Sequence, residues 1–171
     1  MSIAEYLEWY VLYIPKAVYG WGLAGFLLVL IAAVLWGGKK EGIRFAVAFL
    51  LTEYVALLLY FTVFIRRSTG VYEYMLMPFW SYRAMLQSTR VLAQEALMNV
   101  AVFIPVGFLA GLMQKRATWS ITALVGVCIS VSVELLQLVL KRGCCETDDV
   151  INNTFGCMVG YFILVQIKRI L

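Results

Sequence analysis

Histidine is absent from all 171 residues. That removes Ser-His and Cys-His nucleophile pairs, imidazole acid/base work and the commonest transition-metal ligand together. Charge is scarce as well: Asp, Glu, Lys and Arg make up 14% of the chain, too little to coat a soluble surface. The four cysteines (Cys128, Cys144, Cys145, Cys157) form no C-x-x-C pair and have no histidine beside them, so no metal and no cofactor is expected. Cys128 and Cys157 fall inside apolar runs and read as packing residues. Cys144 and Cys145 are adjacent, too close for an unstrained disulfide; a redox role is their alternative reading. There is no basic stripe either. The net charge of +4 comes from 14 basic against 10 acidic residues, and the basic ones sit in short loops flanking apolar runs, which points to membrane topology and away from nucleic acid.

What the chain does have is apolar length. With 63% hydrophobic residues and a mean hydropathy of +0.88, it contains runs of about 18 to 22 residues, each able to cross a core of about 30 Å at about 1.5 Å per residue. The expected fold is all-α: a polytopic transmembrane helical bundle forming a single domain over 1–171. Five spanning helices are expected, near 18–36, 45–65, 96–113 and 119–140, with the fifth opening at Asp148 and Asp149, acidic residues suited to a positive helix N-terminus. An aromatic, amphipathic segment at 1–16 reads as an interfacial helix. The 30-residue connection at 66–95 carries YEYMLMPFWSY and then a helical pattern from Ser81; it is too long to be structureless and reads as partly re-entrant or interfacial.

Polar groups inside these runs are the candidates for function, because a charge at mid-bilayer costs about 2.5–3.5 kcal/mol. Glu53 lies near the middle of the second span, either hydrogen-bonded to a neighbouring helix or serving as a proton or ligand site. Glu95 and Asn99 share a face of the third span, which Pro105 kinks. On the fourth, Ser130, Glu134, Gln137 and Lys141 fall within about 60° of one another at about 100° per residue, giving one polar stripe. On the fifth, Asp149, Asn153, Gly156 and Gly160 share a face, and the two glycines have the G-x-x-x-G spacing of close helix approach. The stretch 134–160 therefore holds two polar stripes joined by a charged loop. A packing seam with a helix cap is the bland account of it; a polar site is the functional one.

Several of these residues stand in an ordered set of motifs. Leu76, Met77, Pro78 and Phe79 stand where an N-L-I-P-F segment would be; Asn99, Phe103, Pro105 and Gly107 give N-x-x-x-F-x-P-x-G; Glu134 and Gln137 give E-x-x-Q. Arg142, Glu146, Asp149, Asn153 and Gly156 follow R-x-x-x-D-x-x-D-x-x-x-N-x-x-G. In this order, over 77–161, the chain resembles the VanZ-like family of bacterial membrane proteins. It departs from the family at Leu76 and Met77, which replace Asn-Leu, and at Glu146, which replaces Asp and lengthens the carboxylate's reach by one methylene. The resemblance implies an accessory role in low-level resistance to teicoplanin, and it supplies no reaction.

The functional expectation is a protein of the bacterial cell membrane acting at the outer leaflet on a lipid-bearing glycopeptide or a lipid-linked cell-wall precursor. Arg142, Glu146 and Asp149 would meet the polar head while apolar helices accept the chain, with membrane lipids as the other partners. A membrane-embedded enzyme acting on an envelope lipid is the alternative, with Glu134 or Asp149 as base and Arg142 neutralising developing charge; no nucleophile motif favours it. A small transporter and a structural partner-binding protein complete the set. For orientation, the basic residues of 37–44, 114–118 and the C-terminus lie in short loops and tails, where the positive-inside bias is strongest. This places the C-terminus in the cytoplasm and the N-terminus, 66–95 and 141–149 outside.

Overall fold

The computed structural model describes residues 40–86, 90–114 and 116–170, together with Gly20, Gly22, Ala24, Gly25, Leu27 and Ile31. The expected interfacial helix at 1–16 and most of the first expected span lie outside the described residues. Contacts divide the chain into two units, Met1–Glu53 and Tyr54–Leu171. In the first, a Cβ placed on Gly25 would stand 3.3 Å from the Glu53 carboxyl carbon, so this acid has a glycine face beside it. The polar cluster at the end of the bundle belongs to the second unit.

The elements run in the order α1 (Lys40–Leu59) continued by a π-helical turn (Tyr60–Phe64), β1 (Glu73–Met75), α2 (Trp80–Met85), α3 (Arg90–Met113), α4 (Trp119–Leu140), β2 (Cys144–Glu146) and α5 (Thr147–Ile170). Among the described residues, four helices are long and apolar enough to cross a membrane: Gly42–Phe64, Val91–Met113, Trp119–Leu140 and Thr147–Ile170. At 22 to 24 residues each, they reach about 33–36 Å at about 1.5 Å per residue, enough for the hydrocarbon core. The all-α membrane-helical expectation holds, and the expected boundaries at 119–140 are those of α4. Large apolar side chains such as Leu124, Leu135, Val139, Phe155 and Phe162 face outward, as a helix surrounded by lipid requires.

The most extensive helix contact joins α3 and α5, and its cause is glycine. A Cβ on Gly156 would lie 2.2 Å from the Val100 carbonyl oxygen, one on Gly160 2.1 Å from that of Ile104, and one on Gly107 2.0 Å from that of Cys157. Backbone meets backbone along this seam, so the G-x-x-x-G spacing does pack a helix partner. Phe103, Val106 and Cys157 fill the space between, fully buried. Pro105 sits inside α3, where it leaves the Ala101 carbonyl without its i+4 donor. Tyr54 Oη donates to the Val102 carbonyl nearby at 2.8 Å and ties α1 to α3.

One feature lies outside the all-α expectation. β1 and β2 pair in parallel, Glu73 with Cys144, Tyr74 with Cys145 and Met75 with Glu146. This short ladder brings the 66–86 connection and the 141–146 loop to the same end of the bundle.

Candidate functional site

The site is built where α4 ends. Lys141 takes a left-handed conformation (φ 54°), its N–H bonding to the Leu138 carbonyl at 3.1 Å and the Arg142 N–H to the Gln137 carbonyl at 2.8 Å. These two bonds are a Schellman closure, and they turn the chain sharply enough to bring β2 back over the last turns of the helix. The returning strand places the Glu146 N–H 2.9 Å from Glu134 Oε2. Glu134, buried on the helix face that also carries Thr122, Ser130 and Gln137, thus meets a backbone donor from its own loop.

The rest of the α4 stripe satisfies the end of α1. A helix leaves its last carbonyls without internal donors, and here Gln137 Nε2 donates to the Thr62 carbonyl at 3.0 Å and Arg142 Nη1 to the Phe64 carbonyl at 2.6 Å. Arg142, expected to meet the polar head with Glu146 and Asp149, is engaged in this capping bond. The guanidinium within electrostatic reach of both Glu134 and Asp149 is that of Arg66, which motif reading passed over as a loop charge. A Cβ on Gly143 would stand 2.9 Å from Arg66 Nη1 and 3.5 Å from Gln137 Oε1, so the glycine leaves room for the guanidinium.

The first two turns of α5 supply the opposite wall and face two ways. Asp148 and Asn152 turn toward α2. Asp148 Oδ1 accepts from the Phe79 N–H at 2.5 Å, and its Oδ2 accepts from the Ser81 N–H at 2.9 Å and the Ser81 hydroxyl at 2.5 Å. Asn152 Oδ1 accepts from the Tyr82 hydroxyl. Phe79, itself left-handed at φ 62°, offers no side-chain cap to α2, so the helix is capped by a carboxylate from another element. Asp148 was legible only as an acid at a helix start; its partners lie about 70 residues away in sequence. Asp149 and Asn153 face the other way, Asp149 toward Asn99 of α3, and Asn153 Nδ2 toward Ser130 Oγ of α4 at 2.8 Å.

The expected site residues thus separate into two groups. Glu134, Gln137, Glu146, Asp149, Asn153 and Asn99 gather at one end of α3, α4 and α5, whereas Pro105, Gly107, Gly156 and Gly160 form the seam that holds those helices at close distance. Glu95, exposed at the start of α3, lies within electrostatic reach of both Glu146 and Asp149. Burial is the main cause that raises the Glu146 pKa above 4.5. The Trp80 indole faces this carboxylate and lowers the pKa in part, without closing a hydrogen bond of regular geometry. The neighbouring thiols are raised too: Cys144 to about 11, by burial and then by Glu146 and Glu73, and Cys145 by burial and then by Glu134. Neither is a ready thiolate at neutral pH. Among the described residues, three buried polar side-chain atoms stand without partners: Gln137 Oε1, Asn153 Oδ1 and Trp80 Nε1.

The apolar side chains of Val71, Tyr72, Tyr74, Leu76, Met77 and Phe79 are exposed along the connection beside this cluster. The arrangement offers a polar cluster with several acceptors, the Arg66 guanidinium and an apolar fringe. Compared with known proteins, residues 48–169 match the VanZ/LLP1 family, a span that takes in the second half of α1 as well as the motif region 77–161. No curated protein and no solved structure matches the chain.

Proposed function

Since the chain belongs to the VanZ/LLP1 family, we propose that it is a bacterial cell-envelope protein that confers low-level resistance to teicoplanin and related lipoglycopeptides. It does so by engaging, at the outer leaflet, either the lipid-bearing antibiotic or a lipid-linked envelope component. The observation that carries this reading is the pairing of a polar cluster (Glu134, Glu146, Asp149, Asn99, Arg66) with the exposed apolar fringe of 71–79 at one end of the bundle. An amphiphile has the complementary form, a polar head on an apolar chain. In this reading the 66–86 connection and the 141–146 loop face outward and the C-terminus is cytoplasmic.

The test is expression of the chain, and of Glu134→Gln, Asp149→Asn and Arg66→Ala, in a sensitive strain. Membrane abundance is checked in each case. The native chain is expected to raise the inhibitory concentration of teicoplanin more than that of vancomycin, which lacks the acyl chain, and the three variants to lose the difference. Equal effects on the two drugs, or full resistance in all three well-expressed variants, would sink the proposal.

A further inference from the structure

Resting on the reading that the cluster receives a polar head, we infer that the group it takes is a primary ammonium carried on an amphiphile. The inference comes from counting donors and acceptors. Glu134 Oε2 receives the Glu146 N–H and Asp149 faces Asn99, while Glu146 and Glu95 add two further carboxylates within electrostatic reach of Asp149. Against these four acids stands the Arg66 guanidinium. Acidic residues alone would prove nothing, but two buried amides give the same answer independently.

Gln137 and Asn153 are each only 4% exposed, and the oxygen of each is without a partner. Gln137 is held by its Nε2 bond to Thr62, which fixes its oxygen on the side where a Gly143 Cβ would meet both it and Arg66 Nη1. Asn153 is held by its bond to Ser130, one turn along α5 from Asp149 and one turn along α4 from Glu134. Both orphan atoms are acceptors, and an unmet buried acceptor calls for a donor. The Trp80 N–H is the one orphan donor among the described residues, and it faces Glu146. A group that brings three N–H donors and a positive charge matches this surplus; a phosphodiester, which brings only acceptors and negative charge, does not. Arg66, on the exposed side, is left to meet an anionic group next to the ammonium, as in a phosphoethanolamine head, with the acyl chains against the apolar fringe of 71–79.

The test uses the purified full chain in detergent, with thermal stability followed while phosphatidylethanolamine, phosphatidylcholine or phosphatidylglycerol of the same acyl length is added. Free phosphoethanolamine is titrated separately. Phosphatidylcholine keeps the charge and the phosphate but has no N–H donor, so the comparison isolates what the cluster is inferred to read. Phosphatidylethanolamine is expected to half-saturate at a concentration at least about tenfold below the other two lipids. Glu134→Gln, which keeps an acceptor oxygen for the Glu146 N–H, and the isosteric Asp149→Asn are expected to close that gap while chromatographic behaviour and helix content stay native.

Equal half-saturation by the ethanolamine and choline lipids, or tighter binding of the glycerol lipid, would overturn the ammonium inference and leave a head-group site standing. Free phosphoethanolamine binding as tightly as its lipid would overturn the requirement for an amphiphile. No effect from any of the three lipids would defeat the proposed site itself. The ratio among the lipids is measured on the native chain, so the inference can fail even where a variant does not fold.

Discussion

At the scale of single residues, the carboxylates of this chain divide by what answers them. Asp148 is fully buried, and three donors from Phe79 and Ser81 spread over its two oxygens, an arrangement that holds α2 in place and leaves no lone pair convenient for a ligand. Glu146 is only partly buried and gains less than burial costs it, so its pKa is raised above 4.5. The sign of the linkage follows. A carboxyl whose folded pKa is raised adds stability that is complete below the unfolded value and is lost as pH rises through the folded one. Thermal melts in detergent from about pH 4 to 8 are therefore expected to show the native chain losing stability relative to Glu146→Gln as pH rises. Parallel curves for the two proteins would show that Glu146 is not held in this environment.

At the scale of elements, the α3–α5 seam is the least forgiving part of the fold. A methyl at residue 160 meets the Ile104 carbonyl oxygen at 2.1 Å and the Phe108 backbone nitrogen at 2.8 Å, atoms that cannot rotate away as a side chain could. Gly160→Ala is expected to cost about 1–3 kcal/mol or more, because the helices must separate along their length. Gly20→Ala, with nothing within 4 Å of the added carbon, serves as the control. Comparing their melting temperatures and membrane yields checks this, and equal behaviour would mean that the seam can relax. The parallel β1–β2 pair works differently. It is only three residues long, and it joins two loops that are also tied by the Thr69 N–H donating to the Lys141 carbonyl at 2.8 Å and by the Lys141 ammonium over the Tyr72 ring at 4.4 Å.

At the scale of the whole molecule, the four described spans put the 66–86 connection and the 141–146 loop at one end, and the turn near Arg116 at the other. Helix direction alternates across a membrane, so one labelling pattern fixes every loop. In a background with the native cysteines replaced, Ser68→Cys is expected to react with an impermeant thiol reagent in intact cells, and Arg116→Cys only after permeabilisation. The reverse pattern would place the polar cluster in the cytoplasm and remove the outer-leaflet reading with it.

Composition and periodicity by themselves determined the membrane class, the helical spans from 45 onward and the two polar faces of α4 and α5. All of these depend on spacing along one helix, where geometry repeats every few residues whatever the surroundings. The ordered motifs of 77–161 pointed to the family for the same reason: they are local patterns. What only the tertiary structure decided is which charge meets which. Arg142, close to Glu146 in sequence, bonds the Phe64 carbonyl, and Arg66, far from either acid in sequence, stands near Glu134 and Asp149. The left-handed turn at Lys141 and the β1–β2 pair set those distances, and neither is encoded by a period. An unmet backbone carbonyl in a medium without water attracts the nearest strong donor, and which donor is nearest is a property of the packed chain.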